Sequence, residues 1–330
     1  MLSRVADNLY WMSRYLERAE HTARLVDVTL HQMLDQRAED TRQRWRTLRT
    51  CLRAPLTDEE AEEDAYSMTQ MLTFDVTNST SIVSCVASAR ENARQVREQI
   101  SSEMWEQINR LFLQIHRTTI GEMWESEPHA FLAGVRDGVQ FIQGLTDATM
   151  SHSEGWHFIR LGRFIERTMA TAVLVDVYTS AFLNAQDNTS SDAFDHMSYM
   201  SMVGLLRSCA AFEAYCKVYT ARIQPEHIVE FLLFNADSPR AIRFAASMMQ
   251  VALQGIARAT NNRPAGRVER LAGRLRSSLE YDQIEDVMRD MHAYLENIER
   301  QCTQIHNAIY QTYVLYPIDV ALISRGGSQS

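Results

Sequence analysis

An arginine and a glutamate one helical turn apart can pair with each other, grip a carboxylate or phosphate, or offer a carboxylate for proton transfer. The sequence carries such a constellation twice. Arg14, Glu17 and Arg18 form the first; Arg163, Glu166 and Arg167 form the second. Downstream of each lies the run Leu-Val-Asp-Val, which supplies Asp27 and Asp176. At about 100° per residue, Asp7, Trp11, Arg14, Arg18 and His21 share a face opposite an apolar stripe, with Glu17 on its flank. The repeated charges have two readings: ion pairs that lock two central helices together, or contacts to a phosphate, a peptide or an amino-acid-like ligand. Glu17 and Glu166 are the candidate catalytic groups, as general acid or base, with Arg18 or Arg167 as the anion binder. Asp27 and Asp176 lie within about 20° of the apolar stripe, where an unpartnered carboxylate is unfavourable. The expectation there is a satisfied buried aspartate that meets an arginine from another helix, with a catalytic carboxylate as the alternative.

A third charged patch is Arg90-Glu-Asn-Ala-Arg94 with Arg97. Arg90, Arg94 and Arg97 share one helix face, either as an anion-binding strip or as an ordinary solvated surface. Metal chemistry finds little support. Di-iron bundles use Glu-x-x-His motifs on facing helices, and Glu154-Gly-Trp-His157 has Val5 and Asn8 at the matching first-half positions. No metal and no cofactor is expected. Zinc-protease, nucleophile-elbow and dinucleotide-glycine motifs are absent, and with Lys217 as the sole lysine there is no phosphate-binding Gly-Lys-Ser/Thr loop. Met197, Tyr199, Met200, Met202, Met248 and Met249 stand at helical spacing and read as core.

These residues need long helices to position them. Val5, Leu9, Met12, Leu16, Ala19, Ala23, Val26, Leu30 and Met33 alternate at spacings of three and four, which predicts a first helix from Ser3 as N-cap to about Leu34. The two charged segments and their Leu-Val-Asp-Val runs match without gaps at a constant offset of 149 (163 minus 14; 174 minus 25). Further likeness links Leu48–Cys51 to Leu205–Cys209, Met71–Asp75 to Phe231–Asn235, and Asn78–Ile82 to Ser238–Ile242. The expected architecture is an all-α multi-helix bundle from an internal duplication, with pseudo-twofold symmetry. Residues 1–150 form the first repeat, 151–323 the second, and 324–330 a disordered tail. Thr57–Asp64 reads as an acidic helix start. Gly121–His129, Asn184–Asp192 and Thr260–Gly266 read as connectors, and Tyr316-Pro317 as the end of the last long helix.

Composition bounds the function. With 45% hydrophobic and 23% charged residues the chain is ordinary globular protein, and with 12 glycines and 6 prolines it has few helix breakers. A net charge of -9 argues against nucleic-acid binding. No signal peptide and no membrane span are expected. Five cysteines without a CxxC motif fit reduced thiols in the cytoplasm.

The opening Met-Leu-Ser-Arg-Val-Ala-Asp-Asn-Leu-Tyr-Trp-Met-Ser-Arg-Tyr-Leu-Glu-Arg-Ala-Glu-His-Thr-Ala-Arg24, together with Arg90–Arg94 and Glu166-Arg167, closely resembles the bacterial alpha-E domain family, an all-helical group named for its Glu-Arg motif. The resemblance covers the whole chain and maps the motif to Glu17-Arg18, with Glu166-Arg167 as the duplicate. It implies partnership with a circularly permuted ATP-grasp protein and, nearby, a transglutaminase-like peptidase, in systems that form amide bonds on peptides or small metabolites. The resulting expectation is an accessory or binding subunit of such an amide ligase. An enzyme of that pathway and a structural homo-oligomer stand as alternatives. The second copy departs from the first beside the motif: Gly162 replaces Ser13, and Thr168-Met169 replace Ala19-Glu20.

Overall fold

The computed structural model describes residues 1, 3–33, 38–54, 64–186, 191–220, 222–260 and 266–315. In chain order the α-helices are α1 (Ser3–Met33), α2 (Ala38–Leu52), α3 (Ala65–Thr73), α4 (Ile82–Gln95), α5 (Ser102–Arg117), α6 (Ile120–Glu125), α7 (Pro128–Thr149), α8 (Glu154–Gln186), α9 (Ser191–Ser208), α10 (Phe212–Tyr219), α11 (Pro225–Phe234), α12 (Ile242–Ala259), α13 (Arg267–Tyr281), α14 (Ile284–Val287) and α15 (Met291–Ile309). A short π-helical turn, Tyr310–Val314, follows α15. The protein is all-helical, with no strand among the described residues.

Local chemistry sets the helix starts. Asp64, Ser81, Ser101 and Asp290 each accept a backbone N–H at the head of α3, α4, α5 and α15. Pro128 and Pro225 stand in the first turn of α7 and α11, where a missing N–H does no harm. Thr119 and Glu122 form a reciprocal capping box that starts α6. Helix α6 and the first turn of α7 therefore occupy the stretch 121–129, which the sequence reads as a connector. The expected acidic start reduces to Asp64 as a cap, and 57–63 lie outside the described residues. So do 187–190, 261–265, Tyr316-Pro317 and the tail 324–330.

Helices α1 and α8, of 31 and 33 residues, lie against each other at the centre. Around α1 pack α4 and α7, with α5 spanning the two; around α8 pack α12 and α15, with α13 spanning those. Helices α2 and α9 each touch both central helices. As a result no residue of α1 between Leu9 and Leu30 is exposed. Leu9, Met12, Leu16, Ala19 and Ala23 enter the apolar core as the periodicity predicts, yet Arg14, Glu17 and His21 are buried too. The face opposite the stripe is an interior face, not a wet one. Met202 and Met249 are buried, Met200 and Met248 half-buried and Tyr199 exposed; the Met197 side chain lies outside the described residues. Cys51, Cys85, Cys209 and Cys302 are buried free thiols, and burial pushes Cys85, Cys209 and Cys302 up to about 12. No described helix is long and apolar enough to cross a membrane.

Candidate functional site

The two central helices approach closely at Gly162. An added Cβ on Gly162 would collide with the Tyr10 carbonyl and sit 3.3 Å from the Ser13 Cβ. This close approach places the charged residues of each helix opposite those of the other. The Glu166 carboxylate accepts from Arg14 Nε at 2.7 Å on one oxygen and from Arg18 Nε at 2.7 Å on the other. The Glu17 carboxylate accepts the Arg167 fork, Nε at 2.7 Å and Nη2 at 2.9 Å, so both links run between helices. Pairing along a single helix, Arg14 with Glu17 or Arg163 with Glu166, is not what the geometry records.

The surroundings of the two carboxylates differ. Glu17 also accepts from Arg240 Nη1 at 3.2 Å and from Gln143 Nε2 at 3.1 Å. Arg240, just ahead of α12, bridges from Glu17 to Glu20, which in turn pairs with Arg24. On the Glu166 side, Arg14 lies over the Trp11 ring and donates to the Tyr10 hydroxyl at 3.3 Å. His306 of α15 stands 2.9 Å from that hydroxyl. Arg163, which matches Arg14, reaches only Asp147 among the described residues, at 3.8 Å. Its Nε has no hydrogen-bond partner among the described residues, and neither have Arg24 Nε and His21 Nε2.

Five guanidinium groups (Arg14, Arg18, Arg24, Arg167, Arg240) thus meet three buried carboxylates (Glu17, Glu20, Glu166), with Arg163 beside them. Burial alone would raise the carboxyl pKa values. It loses to Arg167 and Arg240 at Glu17, to Arg240 and Arg24 at Glu20, and to Arg14 and Arg18 at Glu166. All three are held below the ordinary carboxylate range. The surplus of positive charge acts on the neighbours. Burial, then Arg240, lowers His21 to about 4; burial, then Arg14, lowers His306 to about 4. Burial and Arg167 bring Arg163 down to about 10, still protonated at neutral pH.

Asp27 and Asp176 lie further along α1 and α8. Asp27 is buried and meets an arginine from another helix as expected, Arg136 Nη2 at 3.1 Å from Oδ2. It also meets two histidines, His129 Nδ1 at 2.7 Å and His31 Nδ1 at 3.4 Å from Oδ1. Asp176 is half-buried and pairs with His292, Nδ1 to Oδ1 2.8 Å. Asp27 and His31 stand on the wall of a cleft of about 540 Å³ between α1, α7, α9 and α10, where Arg24, Arg136, Arg207 and Tyr199 also lie.

The Arg90, Arg94 and Arg97 face is split. Arg90 donates to Asn109 Oδ1 at 2.8 Å and lies over the Phe112 ring, Arg97 lies over Trp105, and Arg94 is forked onto Glu91. In the Glu-x-x-His stretch, Glu154 pairs with the chain's amino group at 3.0 Å. Sequence reasoning missed Glu20, Arg24, Arg240, His31, His129 and Arg136. Glu20–Arg24 and Asp27–His31 are i,i+4 pairs that spacing could have flagged; the others arrive from distant helices.

An all-helical protein joined at its centre by interhelical Glu-Arg contacts is the class that fold and site define. The chain belongs to the Alpha-E family, described as a predicted alpha-helical domain with a conserved ER motif, which it matches over residues 1–314. It is 25% identical over 308 residues to uncharacterized proteins of Mycobacterium bovis and Mycobacterium tuberculosis, with 87% of this chain and 34% of each relative covered. The chain therefore spans about a third of the length of the curated relatives it matches. No solved structure matches it significantly.

Proposed function

We propose that the chain is a non-catalytic binding subunit that works with a circularly permuted ATP-grasp amide ligase on a peptide or small metabolite, with a transglutaminase-like peptidase as a further partner. One observation carries this reading. Both motif carboxylates are saturated by guanidinium groups at the joint of α1 and α8, so the Glu-Arg pairs serve the frame, and Arg24, Arg136 and Arg207 line the cleft beside it. A general acid or base works best with a pKa near the operating pH. Glu17 and Glu166 are held well below it, which weighs against the enzyme alternative. Arg24, Arg136 and Arg207 suit the carboxylate of a peptide or amino-acid-like ligand. In the mycobacterial relatives the matched region is part of a much longer chain, as befits a module that acts beside other domains.

The frame reads as an internal duplication, 1–150 and 151–323, with a pseudo-twofold axis between α1 and α8. Support comes from details that periodicity does not demand. Helices α2 and α9 both end on a left-handed residue, Arg53 (φ 50) and Ala210 (φ 47). Both close with the same pair of backbone bonds, Arg53 N–H to Thr50 and Ala54 N–H to Arg49, Ala210 N–H to Arg207 and Ala211 N–H to Leu206. The histidines that meet Asp27 and Asp176 are each the second residue of their helix, α7 and α15. A cytoplasmic location, where free thiols stay reduced, belongs to the same proposal. Co-purification with the ligase, and ligase turnover with and without the chain, test the reading. Separate elution together with unchanged turnover would sink it. Mass in solution, alone and with the ligase, distinguishes the homo-oligomer alternative.

A further inference from the structure

The group around Asp27 has a feature that its partner pair around Asp176 lacks. Three ligand-type side chains, Asp27, His31 and His129, each present a donor atom within 4.8 Å of the other two. Asp27 is held rigidly on α1, and Arg136 occupies Oδ2, so that Oδ1 turns to the two imidazoles. The rings lie 3.6 Å apart between centroids, inclined at 45°. His129 Nδ1 addresses Oδ1, while His31 Nδ1 lies 2.9 Å from the Asp27 main-chain oxygen and 3.4 Å from Oδ1, a main-chain contact it gives up to take a metal ion. Nitrogen and oxygen ligands at about 2.0–2.2 Å from one ion stand roughly 2.9–3.5 Å from each other. The Oδ1 to Nδ1 separations of 2.7 and 3.4 Å fit such an ion after a shift of roughly a few tenths of an ångström.

We propose that Asp27, His31 and His129 bind a divalent first-row transition ion of the Zn²⁺, Co²⁺, Mn²⁺ or Fe²⁺ kind. Two imidazoles and one carboxylate are the donor set of such ions; Mg²⁺ and Ca²⁺ take oxygen ligands. Three protein ligands leave coordination positions open, and structural zinc sites supply four. The open side is the cleft, because Asp27 and His31 form part of its wall. Arg24 and Arg136 stand on the same wall, each with a buried Nε that has no partner among the described residues. An anionic group bound to the ion would therefore meet guanidinium donors as well. Arg136 on Oδ2 is the outer partner that fixes the carboxylate's orientation. The second half holds an internal control. His31 matches Ser180 (180 minus 149), and Asp176 and His292 make a pair with no third donor among the described residues.

This inference stands without the ligase partnership, because its test needs only the purified full chain. Protein stripped with a chelator is titrated with Co²⁺, followed by its visible absorption, and with Zn²⁺, followed by calorimetry. One equivalent per chain is expected. His31→Ser, which copies the residue at the matching position, and His129→Ala should each weaken binding by more than the roughly 10–100-fold that loss of an outer partner costs. His292→Ala should leave it unchanged. His31 has a half-exposed side chain, so its replacement leaves the fold intact, and circular dichroism of each variant verifies this. Failure of the parent protein to bind one equivalent overturns the proposal, as does binding that survives both His31→Ser and His129→Ala in folded protein.

Discussion

Glu17 and Glu166 occupy matched positions on the two central helices, yet they answer to different cations. Arg18 to Glu166 and Arg167 to Glu17 are the same contact seen from either helix. The other contacts diverge. Arg14 completes the shell of Glu166, whereas its counterpart Arg163 leaves Glu17 to Arg240 and turns to Asp147. Arg240 stands where the first half has Thr80, and Glu20 where the second half has Met169. Likeness along α1 and α8 therefore sets which side chains meet; the helices packed outside them decide which charges are neutralised. The two ends of the joint differ in chemistry around one pair of matched contacts.

The largest test of this asymmetry is neutralisation of each glutamate in turn. Glu17→Gln leaves Arg167 buried without a carboxylate and Arg240 with Glu20 alone, and loss of one partner of a buried pair costs about 3–5 kcal/mol. Glu166→Gln should cost less, near the lower end of that range of about 3–5 kcal/mol, because the Arg18 side chain is 25% exposed and can turn to water. Urea unfolding measures both. Equal losses would mean that the outer helices do not matter in the way argued here.

The matched arginines sharpen the contrast. Arg14→Met removes one of two guanidiniums from a buried carboxylate and should cost about 2–3 kcal/mol. Arg163→Met removes a buried guanidinium whose nearest acid is 3.8 Å away and half-exposed. Its stability should stay within about 1 kcal/mol of the parent, or rise, since an apolar side chain carries no desolvation penalty. A large loss from Arg163→Met would show that it has a partner of its own.

What was legible in the sequence follows the same division. The apolar stripe from Val5 to Met33 predicts α1 and its core residues because a packed helix must repeat at 3.6. The Arg-Glu pairs are legible as partners for the second helix because both helices carry them. The identity of the extra cation is not: Arg240 lies 223 residues from Glu17, and local spacing says nothing about contacts at that range. His129 reaches Asp27 across 102 residues for the same reason. Periodicity marks the apolar side of α1 and leaves open whether Arg14 and His21 on the other side meet solvent or a partner helix; both are buried. Over Gly121–His129, glycine and proline suggest a connector, but Thr119 with Glu122 is the spacing of a helix start.

Acid titration separates the histidines from the carboxylates. His21 and His306 take a proton near 4 when folded and near 6.5 in the reference state. Between those values the unfolded chain holds more protons, so stability falls as pH drops from about 6.5 toward 4. The carboxylates behave as depressed acids: their contribution is intact above about 4.5 and lost only as pH falls further. His21 faces Arg240, Glu20 and Glu17, and its matched position is Ala170. His21→Gln should flatten the melting temperature between pH 6.5 and 4, and an unchanged slope would remove His21 from the account.

The smallest effect is expected at the Asp176 end, and its sign is opposite. His292 is exposed, and its hydrogen bond to Asp176, with the charge of that carboxylate, raises its pKa above the ordinary 6.5. A raised histidine stabilises the fold fully below the unfolded value and loses that contribution as pH climbs through the folded one. His292→Ala should therefore lower the melting temperature slightly at pH 6 and leave it unchanged at pH 9. The deficit stays small because a wet pair is screened by solvent and salt. Asp27 is buried and keeps Arg136 and His31 when His129 is removed, so the two aspartates differ in how many partners hold them. A pH-independent loss in His292→Ala would mean that the ring acts by packing at the head of α15, and the Asp–His pair of the second half would then share only its position with that of the first.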